Sequence, residues 1–204
     1  MTQEGIVQGY ALADAYMAIE NAKHHLRLRT VKQREHFFSK YEQLIIGGCG
    51  VKISLERALT IWQRIREIPY ALAPFPDVIP TLECLKNRGL TLGMITNMDT
   101  SNTYGSICLD FKDLLDLTIT SLEVGVSKPD PAIFFAALCQ AKSEPHEAIH
   151  IGDQISSDIE GASGAGITPI LIDRDGIHKD YRSHTRIEAL NDILEFIDLS
   201  RSDF

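Results

Sequence analysis

Positive charge is scarce in this chain. Twenty lysines and arginines face 28 aspartates and glutamates in 204 residues, a net charge of −8. An acidic chain without a basic block is a poor partner for nucleic acid or an anionic membrane surface, although a local basic pocket stays compatible with it. No apolar run approaches the roughly 20 residues that cross a bilayer. The opening residues, MTQEGIVQGYALADAY, have neither a basic n-region nor a small-residue cleavage site, so no signal peptide is read there. Cysteine is sparse too. Cys49, Cys84, Cys108 and Cys139 show no CxxC spacing, which argues against a zinc ribbon or a dithiol motif. Scattered cysteines without a secretory signal read as the reduced thiols of a cytoplasmic protein. The seven histidines are scattered as well, and adjacent His24 and His25 would point apart on a helix; all seven read as solvated or core residues. What remains is ordinary for a globular chain, 44% hydrophobic and 24% charged. It suits one medium domain, or one domain with a modest insert.

Residues 5–67 read as helix. Tyr10, Ala13 and Met17, and Leu12, Tyr16 and Ile19, recur at helical spacing. Phe37, Tyr41, Leu44 and Ile45 continue the pattern until Gly47-Gly48 stops it. Ser54 is placed to cap a third helix with a stripe of Leu55, Ala58, Leu59, Trp62 and Ile65. GGCG at 47–50 has no preceding strand and no following Lys-Ser/Thr, so it reads as a turn and not a phosphate loop. IPYALAPFP at 68–76 marks a linker.

Beyond the linker, helices and short apolar strands alternate. Asp77 to Arg88 reads as a capped helix stopped by Gly89, LTLGMI (90–95) as a strand, 100–108 as a helix and LTIT (117–120) as a strand. Asp130-Pro131 opens a helix to about Gln140. AIHIG (148–152) and TPILID (168–173) are strands around a helix at 156–163, and Ile187 to Ile197 reads as a closing helix. Such alternation predicts a parallel sheet with right-handed crossovers, whose ligands bind at the carboxyl ends of the strands. Thr96-Asn97 follows the first strand, Lys128 lies in the loop after the second, and Asp153 and Asp158 follow the third. One hydroxyl, one ammonium and two carboxylates at one rim suit phosphoryl chemistry with Mg2+.

The order ITN, SKPDPAIF, GDQISSDIEGA resembles motifs II, III and IV of the haloacid dehalogenase superfamily. The PFPDVIPTLECLKNRG segment before them and TPILIDRDG after them fit as well, so the likeness covers residues 74–176. It implies an α/β fold: a Rossmann-like parallel sheet with flanking helices over 71–204, plus an N-terminal helical cap over 1–70. It implies that Thr96, Asn97 and Lys128 hold a phosphoryl group, with Thr96 and Lys128 serving catalysis, and that Asp153 and Asp158 serve the metal. Two plainer alternatives stay beside it: Asp158 as a helix cap and Lys128 as a surface lysine.

The family's motif I, a strand ending in Asp-x-Asp, is not found here. Asp14 lies in a helical pattern, Asp99 has no second aspartate two residues on, and the Asp173/Asp175 pair of IDRDG follows the last motif and not the first. In the family that strand lies between those ending at Thr96 and Gly152, so without it these two must close on each other or another strand must be supplied. The expectation is a natural product that begins roughly 10–20 residues upstream. The expected activity is Mg2+-dependent phosphatase action on a small phosphorylated metabolite through an aspartyl-phosphate, with this chain truncated or inactive. The alternatives are a 2-haloacid dehalogenase-type hydrolase, a pseudoenzyme binding an anionic ligand or a partner, and a strand-sharing dimer.

Overall fold

Caps set the limits of the first helices in the computed structural model, which describes residues 2–68, 73–97 and 111–201. Thr2 accepts from the Gly5 amide and opens α1, Gln3–Lys23. Thr30 and Gln33 form a reciprocal capping box at the start of α2, Val31–Gly48. Ser54 accepts from the Arg57 amide at 3.2 Å and opens α3, Leu55–Ile65, as its sequence predicts. These helices form one compact unit, Met1–Tyr70; Ala71–Phe204 is the other.

Helix α1 buries only part of the expected pattern. Gly5, Gly9 and Ala13 are buried, whereas Leu12 and Ile19 are each 56% exposed. The cause is a close backbone crossing. A Cβ on Gly9 would stand 2.1 Å from the Ile45 carbonyl oxygen, and one on Gly48 would stand 2.4 Å from the Gly9 Cα. Small residues let the two backbones touch at this crossing, and larger side chains of α1 make contact only beyond it. Gly48 therefore belongs to the helix crossing, and Gly50, with φ +76°, makes the turn expected for GGCG. Aromatic stacking completes the unit: Phe37 lies on Tyr16 with centroids 5.2 Å apart, and Phe38 on Trp62 at 4.9 Å. Along α3 the expected stripe is buried at Ala58, while Leu55 and Ile65 stay exposed.

The second unit holds α4 (Val78–Asn87), β1 (Gly93–Thr96), β2 (Leu117–Thr120), the short α5 (Ser121–Val124), α6 (Pro131–Ala141) and β3 (Ile149–Gly152). A π-helical turn, Ile155–Ile159, then runs into α7 (Glu160–Gly164), followed by β4 (Thr168–Ile172), β5 (Thr185–Ile187) and α8 (Ile193–Arg201). The helix expected at 100–108, with Asp99 and Cys108, lies outside the described residues. Asp130 caps α6 through the Ala132 amide, with Pro131 in the first turn, as predicted. Asp77 sits at the start of α4 but does not cap it; its carboxylate accepts from Arg174 at 3.0 Å and from the Leu190 amide at 2.6 Å. Where a closing helix was expected from Ile187, the chain first makes β5, and the helix starts at Ile193.

All strand pairs are parallel, in two sheets: β1–β2, and β3–β4–β5. Both sheets share their helical layers. One cluster joins Leu117 and Ile119 of β2, Ile133 and Phe134 of α6, and Ala162 of α7, with Ile95 of β1 packed against it. The other joins Leu85 of α4, Ile170 of β4 and Ile193 of α8, with Leu92 and Ile151 packed against it. β1 uses one edge for β2 and β3 uses one edge for β4, which leaves the other edge of each without a strand partner among the described residues. Among the described residues β1 and β3 are not paired, so the two strands do not close on each other.

Candidate active site

The carboxyl ends of β1, β2 and β3 converge on one rim, as a parallel sheet requires. Thr96 ends β1 and is half-buried beside Thr120 of β2. Asn97, the next residue, joins the strand to the loop after β2. Its Nδ2 donates to the Lys128 carbonyl at 3.0 Å, and its Oδ1 accepts from the Lys128 amide at 2.7 Å. Its own carbonyl accepts from the Ser121 hydroxyl at 3.1 Å. One amide side chain thus fixes the backbone of Lys128, which leads into a cis peptide bond to Pro129.

Lys128 Nζ then donates to Asp158 Oδ1 at 2.5 Å. The lysine side chain is 14% exposed and the aspartate 4%, so Lys128 is no plain surface lysine. Asp158 Oδ1 also meets His150 Nε2 at 3.3 Å, and Oδ2 accepts from the Gln154 amide at 3.0 Å. Burial pushes the Asp158 carboxyl up, but His150 and Lys128 outweigh it and hold it down at about 2. The helix-cap alternative for Asp158 fails, because the residue lies inside the π-helical turn and ties back to Gln154.

The glycines of this motif are explained by space. A Cβ on Gly152 would stand 2.3 Å from the Asp158 Cγ, so only glycine lets the carboxylate fold back over the strand. A Cβ on Gly161 would meet the Phe134 ring at 2.8 Å and the Pro129 Cα at 3.0 Å. Asp153, the other carboxylate, is exposed on the same loop. Asp173 is elsewhere: its buried carboxylate accepts from the amides of Ile177 and His178 and from Arg186, so it anchors a turn.

The rim can therefore hold an anion by one hydroxyl, one amide-braced loop and one ammonium. It is less complete for Mg2+, which takes about six oxygens. Among the described residues no three His, Cys, Asp or Glu side chains come together to hold a metal. The Asp158 carboxylate is committed to three donors, and among the described residues the rim donors fall short of a Mg2+ site. Sequence reasoning missed Ser121 and His150. His150 carried a signal: it lies two residues before Gly152 in β3, on the same strand face.

A family model described as a haloacid dehalogenase-like hydrolase matches residues 4–166. The glyceraldehyde 3-phosphate phosphatase of Methanopyrus kandleri is 38% identical over 104 residues, which cover 50% of this chain and 45% of that protein. The chain spans about half the length of the curated relatives it matches. The crystal structure of a HAD phosphatase from Thermococcus onnurineus superposes with a TM-score of 0.57 at 26% identity, covering 96% of this chain and 92% of that one. A 2-haloacid dehalogenase from Pseudomonas syringae pv. Tomato DC3000, at 24% identity and a TM-score of 0.55 over 97% of this chain and 92% of that one, shares the fold. No described helix is long and apolar enough to cross a membrane. The family match runs through the helical unit and on across all three loops that meet at the rim, and by it this chain belongs to the haloacid dehalogenase-like hydrolases.

Proposed function

We propose that the protein is a phosphatase for a small phosphorylated metabolite, acting in the cytoplasm once an acidic strand joins its sheet. The observation that carries this is the Asn97–Lys128–Asp158 chain of bonds, which ties the ends of β1 and β3 together and presents an ammonium at the rim. Thr96 and the backbone at Asn97 hold phosphoryl oxygens, and Lys128 offsets their charge. A strand between β1 and β3 brings an aspartate to that ammonium. Its carboxylate oxygen bonds to phosphorus, the bond from phosphorus to the ester oxygen breaks, and the leaving oxygen takes a proton; water then cleaves the acyl phosphate. Asp153, together with a carboxylate of the added strand, would hold Mg2+, which would neutralise phosphoryl charge. The phosphatase names of the relatives support this reading over the dehalogenase one, and so does Asp153, for which a metal-free mechanism has less use.

The test is a comparison of two proteins: this chain, and the same chain preceded by one apolar strand ending in Asp-x-Asp. Expected are phosphate binding by both, and Mg2+-dependent hydrolysis of phosphate monoesters by the extended protein alone, lost in its Lys128→Ala variant. An extended protein that folds and binds phosphate but hydrolyses nothing overturns the phosphatase reading and leaves an anion-binding module.

A further inference from the structure

We propose that His150 is a positioning residue of the anion site: its Nε2–H clamps Asp158, and Asp158 in turn aims the Lys128 ammonium at the rim. The role given to Lys128 rests on the function proposed above; the clamp itself rests on geometry. Asp158 Oδ1 takes two donors, Lys128 at 2.5 Å and His150 at 3.3 Å, and Oδ2 takes the Gln154 amide at 3.0 Å. A carboxylate held at one oxygen by a flexible lysine can turn about its own axis and carry the ammonium with it. Held at both oxygens by backbone and ring, it cannot. The imidazole is itself fixed. It meets the buried Phe134 ring edge-on, with centroids 5.1 Å apart and planes at 87°. Its side chain is 13% exposed.

The clamp has a chemical requirement. An ionised carboxylate only accepts, so the nitrogen facing it must carry the hydrogen. His150 is therefore the Nε2–H tautomer when neutral. Strand alternation explains why a histidine can reach: residues 150 and 152 of β3 point to one face, and Gly152 leaves its place there to the Asp158 carboxylate. A phenylalanine at 150 keeps the ring contact with Phe134 but loses the donor. A glutamine keeps a donor and loses the ring.

The experiment reads the clamp before it reads the ligand. Ring 15N shifts of wild-type His150 are expected to report Nε2–H; a neutral ring protonated at Nδ1 overturns the proposal without any variant. Lysine ammonium 15N spectra should show a slow-exchanging Lys128 signal, identified by its loss in Lys128→Arg. That signal should vanish in His150→Phe and return in His150→Gln. Binding of inorganic phosphate should weaken about tenfold in His150→Phe and stay within about twofold of wild type in His150→Gln. A signal and affinity unchanged in His150→Phe, or lost alike in both variants, overturns the proposal, the second outcome meaning packing alone. A wild type that keeps the ammonium signal but binds no phosphate sinks the anion site and leaves the clamp standing.

Discussion

Two glycines of the helical unit should respond to alanine with opposite signs. In Gly9→Ala the new Cβ stands 2.1 Å from the Ile45 carbonyl oxygen and 2.8 Å from its carbonyl carbon, both backbone atoms of α2. Ordinary contact needs about 1 Å more than this, and no rotamer can relieve it, so α1 and α2 must separate. Overpacking costs about 1–3 kcal/mol and a clash this close to backbone stands at the top of that range; the better helix propensity of alanine returns about 1 kcal/mol, so a net loss of about 2 kcal/mol is expected. Gly47 lies in α2 with nothing within 4 Å of its absent Cβ. There the propensity acts alone, and Gly47→Ala should gain about 0.5 kcal/mol near the helix end. Trp62 is the one tryptophan of the chain, and it stacks on Phe38, so its fluorescence follows the unfolding of this unit. With a urea slope of about 2 kcal/mol per molar, the midpoint should fall by about 1 M in Gly9→Ala and rise by about 0.2–0.3 M in Gly47→Ala. Midpoints that move in the same direction would refute the backbone crossing as the contact between α1 and α2.

The two aspartates of one motif should separate in a stability assay. Asp158→Ala strands a half-buried Lys128 and should cost about 3 kcal/mol or more by thermal or urea unfolding, whereas Asp153→Ala, at an exposed site, should cost no more than about 1 kcal/mol. Ser121→Ala removes a donor to the Asn97 carbonyl and should cost about 1 kcal/mol in the same assay. Asp77 supplies the pH test. Burial pushes its carboxyl up, but Arg174 and the Leu190 amide outweigh that and hold it below the usual aspartate range. A depressed folded-state value gives stability that is present above about pH 4 and lost as pH falls through the folded value. The stability difference between wild type and Asp77→Asn, followed by urea midpoints from pH 7 to pH 2.5, should therefore hold above pH 4 and shrink below it; a constant difference would remove the ion pair from the account.

The sequence was readable where the causes are local. Asp130-Pro131 begins α6 because a side-chain acceptor and a fixed φ act within one turn. The rim residues were readable because each follows a strand, and the fold brings Asn97, Lys128 and Asp158 into one chain of bonds. Misreadings came where a distant partner competes with a local rule. Asp77 has the composition of a cap but spends its carboxylate on Arg174 and Leu190, about a hundred residues away in sequence. In α1 the search for large apolar residues passed over Gly5 and Gly9, because a contact made by absence of side chain has no hydrophobic signature. β5 has three residues, too few for a period to register. His150 looked like any other histidine until the strand placed it beside Asp158.

The bonds from Asn97 through Lys128 to Asp158 make the rim a rivet between the two sheets. Among the described residues no strand pairing joins the two sheets, which are held by shared helical layers and, at their carboxyl ends, by Asn97, Lys128 and Asp158. An anion seated there grips groups from both sides of the joint at once. Occupancy and stiffness should then rise together: phosphate should slow amide exchange along β1 and β3 in step, while β4, already buried between two neighbours, has little left to gain.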